Sequence, residues 1–135
     1  MTVLIPVRYP LTDRNKRAIE KGLELVADES DPELLIVYVN RLYKDDRIPR
    51  STLRETVEAE FGTIPAHYVV RDGFLYEEAV LDEAIRQQVD HIVLSERRRA
   101  AWQQLLREAF DFEVDLESFL SKQLDVEIHV IPDEQ

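Results

Sequence analysis

The sequence predicts a single doubly wound α/β domain, a parallel sheet with helices on both faces, spanning residues 1–135. Three observations carry this reading. Short branched apolar runs alternate with stretches whose apolar residues fall three or four apart, in the order βαβαβαβαβ. The run Leu34, Leu35, Ile36, Val37, Tyr38, Val39 is unbroken, the pattern of a strand covered on both sides. A chain of 135 residues, 44% of them hydrophobic, has material for one continuous core and no room for a second.

The first strand is 3–7, too short for a stable helix and closed by Pro10. Thr12 or Asp13 then offers an N-cap, and Ala18, Ile19, Gly22, Leu23 and Val26 make one apolar face that ends at the acidic break 28–31. Strand two is 34–39. Residues 40–50 mix charge with Tyr43 and Pro49 and lack periodicity, so they are expected to be a loop. Thr52 and Glu55 have capping-box spacing, and Leu53, Val57 and Phe61 form a thin stripe that Gly62 terminates. Residues 67–70 read as strand three, Asp72 and Gly73 as its turn, and 75–88 as a helix with Ala79, Ala84 and Ile85 inward. Strand four is 91–94. Trp102, Leu105, Leu106, Ala109 and Phe110 restore helical spacing, and 111–115 interrupts it. Leu116, Phe119, Leu120 and Leu124 resume that spacing, before 126–131 alternates as a half-exposed last strand.

Composition excludes several function classes. The chain has no cysteine, so disulfides, thiolate nucleophiles and cysteine metal sites are absent, and a reducing cytoplasm is the expected setting. No basic segment precedes the first strand, and the longest apolar run falls far short of the roughly 20 residues of a membrane span, so neither a signal peptide nor a membrane anchor is expected. A formal net charge of -11 repels polyanions, which removes the usual drive toward nucleic acid or an anionic membrane. Lysine occurs only at Lys16, Lys21, Lys44 and Lys122, and the remaining bases are arginine, a surface chemistry suited to a salt-rich interior.

Past strand four the chain runs through Ser95, Glu96, Arg97, Arg98 and Arg99 with no glycine, and it has none beyond Gly73. A phosphate-cradling loop needs bare backbone at such a place.

Three segments resemble the universal stress protein family: Val3, Leu4, Ile5, Pro6, Val7 at the start, residues 75–94, and the last strand 126–131. The middle segment is the most telling, with a helix, a polar break, an aspartate and an Ile-Val-rich strand in Gln88, Val89, Asp90, His91, Ile92, Val93, Leu94. The resemblance implies a five-stranded parallel sheet of order 3-2-1-4-5. It also implies a homodimer through the last strand, with Val126, Ile128 and Val130 lining the seam. ATP-binding members carry an acidic residue after strand one and the pattern G-x2-G-x9-G-[ST] after strand four. Arg8 and the glycine-free run from Ser95 to Ala101 stand there instead. The chain therefore looks like the branch that does not hold ATP in the glycine-loop mode, and no cofactor is expected, ATP and AMP being disfavoured.

The expected function is a homodimeric regulatory or binding module without catalytic activity; the sequence names no protein partner. The alternative is a small-anion or nucleotide site in the crevice between strands one and four, built from Arg8, Ser95, Arg97, Arg98 and Arg99. The same arginines can instead pair with Asp13, Glu96 and Glu108 as a solvated loop. Other chemistry is thinner. His67, His91 and His129 sit at strand edges with no helical i, i+4 partner and no nearby histidine or cysteine ligand, so no metal is expected. Ser95 lacks the G-x-S-x-G elbow of an activated nucleophile. The acid pairs Glu77 with Glu78 and Asp82 with Glu83 read as a solvated helix face, and Trp102, Phe110, Phe112 and Phe119 as core or subunit contact. A phosphoacceptor domain needs clustered acids after strand one, where Arg8 and Tyr9 stand, and the H-x-G-H and S-G-G-x-D-S loops of nucleotide-handling enzymes have no counterpart.

Overall fold

The computed structural model describes residues 1–41, 47–73, 76–94 and 127–131. Strands are β1 (Thr2–Pro6), β2 (Glu33–Arg41), β3 (Ala66–Gly73), β4 (His91–Leu94) and β5 (Glu127–Val130). Helices are α1 (Asp13–Leu25), α2 (Arg50–Phe61) and α3 (Tyr76–Gln87). All four strand pairings are parallel, and the sheet order is β3-β2-β1-β4-β5. The helical spacings at 102–110 and 116–124 lie outside the described residues.

Strand alternation divides the core in two. Val3, Ile5 and Val7 of β1 and its extension, with Leu34 and Ile36 of β2, pack with Ala18 and Ile19 of α1 and Leu53 and Val57 of α2. Leu4, Leu35, Val37, Val39 and Ile92 point the other way, onto Ala79, Val80 and Ala84 of α3. Burial on both faces is what the unbroken apolar run in β2 requires. Gly22 lets α1 settle close to the sheet, since a Cβ there would stand 2.6 Å from Ile5 Cδ1.

Four local expectations are corrected. A capping box is present, but at Thr12, whose side chain accepts from Asn15 N while the Asn15 side chain accepts from Thr12 N. None forms at Thr52 and Glu55: α2 starts at Arg50 behind an N-cap Pro49 with no side-chain cap. That start places Thr52 inside the first turn, where its hydroxyl cannot cap. Asp72 and Gly73 continue β3, pairing with Asn40 and Arg41 of a β2 that also runs longer than its apolar core. Ile85 is 52% exposed instead of inward. Among the described side chains of α3, Ala79, Val80, Glu83 and Ala84 are buried, and Ile85 lies about 100° round the helix from Ala84. Glu83, expected on a solvated face, is fully buried.

The connection from α3 to β4 is tight. Gln88 takes the left-handed conformation (φ 51°) that lets the chain leave the helix, and Thr2 N donates to Asp90 Oδ2 at 2.9 Å while Asp90 N donates to Thr2 O at 2.9 Å. These two bonds set β4 beside β1.

Candidate functional site

β1 lies between β2, which follows it through α1, and β4, reached from the other side, so the chain reverses its winding at the carboxyl ends of β1 and β4. Ligands of open α/β sheets bind at such a reversal. Val7 carries the strand one step past β1, its amide donating to Val37 O at 2.9 Å. Arg8 follows at the rim, exposed. Its backbone is fixed by Asn15, which is fully buried in α1 and whose Oδ1 accepts from Arg8 N at 2.9 Å and Thr12 N at 3.2 Å. One carboxamide oxygen thus joins the end of the central strand to the start of the first helix. Tyr9 meets Tyr38 of β2 edge to face, ring centroids 6.5 Å apart. The structure therefore places Arg8 where the sequence reading put it; Ser95, Arg97, Arg98 and Arg99 lie outside the described residues.

A groove of about 240 Å³ lies against α2 and the start of β3, lined by Arg50, Arg54, Glu58, Thr63, His67 and Tyr68, among others. The Tyr68 hydroxyl is buried without a hydrogen-bond partner among the described residues, and burial raises its pKa above the ordinary tyrosine value, with Glu58 adding to the rise. A folded-state pKa above the unfolded one leaves stability intact below the tyrosine range near pH 10 and removes it as pH climbs through the folded value. Tyr68→Phe is thus expected to leave the neutral-pH melting temperature unchanged or raise it, and to soften its decline between about pH 9 and 11. Thermal melts across that range check both parts.

The opposite pole of the sheet holds a cluster that linear spacing hid. His91 opens β4 and pairs in register with Glu127, and Val93 pairs with His129. His91, Glu127 and His129 consequently share one face. His91 Nδ1 and His129 Nε2 are 3.0 Å apart, and Glu127 Oε2 stands 3.5 Å from the first and 3.8 Å from the second. Desolvation chiefly lowers the pKa of His129, with His91 and Lys21 acting in the same direction and Glu127 opposing them. The third histidine, His67, sits apart on β3, exposed and 3.8 Å from Glu33.

No family model and no curated protein matches the chain by sequence. Solved structures do match. A universal stress protein family member from Burkholderia pseudomallei aligns over 96% of each chain, with TM-score 0.53 and 17% identity. UspA from Lactobacillus plantarum covers 98% of this chain and 97% of its own, with TM-score 0.55 and 17% identity. A universal stress protein solved with cAMP covers 97% of both chains, with TM-score 0.54 and 12% identity. The chain has the universal stress protein fold. Within that fold, Arg8 stands at the position after strand one, and β5 closes one side of the sheet. Among the described residues β5 pairs on one side alone, with β4. Val130, at its carboxyl end, is 42% exposed. Val126 and the Ile128 side chain lie outside what is described.

The sequence missed Asn15 and the His91–His129 pair as organising residues. Asn15 carried a signal, the T-x-x-N spacing from Thr12 before an apolar stripe. The histidines carried none, since their meeting depends on the β4–β5 register.

Proposed function

We propose that this chain is a universal stress protein-type regulatory module, without catalytic activity, that works as a homodimer joined through β5. The observation that carries the reading is that, among the described residues, β5 is the last strand of the sheet and pairs with β4 alone. β5 is a terminal strand four residues long, and its exposed Val130 is one of few large apolar side chains left in solvent among the described residues. An edge strand exposes unpaired backbone donors and acceptors, and pairing it with its own copy across a two-fold axis satisfies both edges at once. The fold similarity over nearly the whole length supports the same assignment.

The module does not hold ATP against bare backbone, because the residues after β4 offer side chains where a phosphate loop requires glycine. Whatever ligand it answers to engages Arg8 at the β1–β4 reversal by its side chain, as a forked donor, and not by a nest of amides. A charge placed at Val130 tests the assembly: Val130→Lys is expected to give monomers at concentrations where the unmodified chain is dimeric. Submicromolar ATP binding in calorimetry would contradict the ligand part of the reading independently of the dimer.

A further inference from the structure

We infer that His91, His129 and Glu127 form a binding site for a divalent transition-metal ion of the zinc class at the amino end of β4 and β5. This goes beyond the proposed function: all three ligands come from one chain, so the site does not depend on a second copy.

The geometry has the size of a coordination sphere. The three donor atoms make a triangle with sides of 3.0, 3.5 and 3.8 Å. Zinc holds imidazole nitrogen and carboxylate oxygen at about 2.0–2.2 Å, which in a tetrahedron separates the ligand atoms by roughly 3.3–3.6 Å. A point equidistant from the three atoms lies about 2.0 Å from each, within that bonding range, so an ion can enter with sub-ångström adjustment of the side chains.

The chemistry agrees with the geometry. Two imidazoles and one carboxylate are the donor set of many zinc sites, and they suit zinc, nickel and copper better than magnesium or calcium, which prefer all-oxygen shells. The carboxylate offsets part of the ion's charge. Two of the ligands are supported by the sheet: the His91 side chain is 12% exposed and the His129 side chain 24%, each on a hydrogen-bonded strand whose register fixes their separation. The Glu127 side chain is 74% exposed, so the carboxylate can swing onto or off the ion, and the solvent side supplies a fourth position for water. The competing state is an ordinary hydrogen bond between the two imidazoles, which takes up no metal.

Equilibrium dialysis of the full chain against ZnCl2, with metal counted by plasma emission, separates the two. One ion per chain, retained with a micromolar or tighter dissociation constant, is expected. Loss of an outer-shell partner alone typically weakens a metal site ten- to a hundredfold, so His91→Ala and His129→Ala are each expected to weaken binding at least about tenfold. Should either alanine variant fail to fold, Glu127→Gln serves, because that exposed side chain leaves the apo melting temperature unchanged while lowering affinity. His67→Ala is expected to bind as the unmodified chain does. Cobalt substituted for zinc is expected to give the visible absorption of a four-coordinate site. The Val130→Lys variant, whether or not it dissociates a dimer, keeps full zinc binding, so failure of the metal site and failure of the dimer are read separately. No uptake at about 100 μM zinc, or uptake indifferent to His91, His129 and Glu127, overturns the assignment.

Discussion

Replacing Glu83 by alanine is expected to lower the stability of the fold by about 2–4 kcal/mol. Glu83 is fully buried on the face of α3 that meets the sheet. Its Oε1 accepts from Arg86 Nη2 at 2.8 Å and lies 3.5 Å from Arg71 Nη1, and its Oε2 accepts from Gln87 Nε2 at 2.7 Å. Arg71 also donates to the Ala79 carbonyl at 3.1 Å and pairs with Asp82 at 2.8 Å, tying β3 to α3. Deleting the carboxylate leaves the Arg71 guanidinium, 24% exposed, held by the solvent-exposed Asp82 and the Ala79 carbonyl, and opens a cavity under the helix. The full cost of a broken buried ion pair, about 3–5 kcal/mol, is discounted here because Arg86 is 63% exposed and can turn to water. For a chain of this length the melting temperature falls by about 6–15 °C. Arg86→Ala provides the contrast, with an expected change below about 1 kcal/mol. Urea titrations of the three proteins measure all of this; a Glu83→Ala loss no larger than that of Arg86→Ala would mean the buried carboxylate is not what holds α3 to β3.

Asn15→Ala is expected to lose about 2–4 kcal/mol and, unlike Glu83→Ala, to loosen the end of β1 specifically. The Asn15 carboxamide accepts from two backbone amides, Arg8 N and Thr12 N, in a part-buried setting. Each amide left without a partner costs about 1–3 kcal/mol. The Thr12 hydroxyl still caps Asn15 N at 3.0 Å in the variant, which keeps the loss from reaching the upper sum. Amide hydrogen exchange reads the site directly: the Arg8 amide, bonded to Asn15 Oδ1 in the unmodified chain, is expected to exchange at least about tenfold faster in Asn15→Ala, whereas the Val3 and Leu4 amides are expected to change only with global stability. Asn15→Asp keeps an acceptor beside a helix N-terminus, which favours negative charge, and is expected to fall between the two. Equal acceleration at Arg8, Val3 and Leu4 would mean that Asn15 supports the domain as a whole and does not position Arg8.

These two residues also mark where sequence reasoning stops. The strands were legible because burial on two faces leaves unbroken branched runs, as in residues 34–39, and because helices on each face repeat every three or four residues. The sheet order followed from a resemblance carried by residues 88–94, which the β1–β4 pairing and the Asp90 bonds to Thr2 explain. Glu83 was illegible because it is one acid among 28, and its partner Arg71 lies on a different element. Thr52 and Glu55 misled because the helix begins at Arg50 behind the N-cap Pro49, three residues before Thr52. His91 and His129 are 38 residues apart, and no local pattern announces a contact that a strand register creates. The position of Arg8 at the end of β1 was legible because it follows that strand without a break, whereas the bond that fixes its backbone comes from Asn15 seven residues later.

Light scattering coupled to size exclusion, on the unmodified chain and on Val130→Lys at equal micromolar concentrations, tests the assembly at the centre of this account. The expected result is a particle of about twice the 15.8 kDa chain mass for the first and a folded particle of single-chain mass for the second. A monomer for both, or a dimer that the lysine leaves intact, would contradict it.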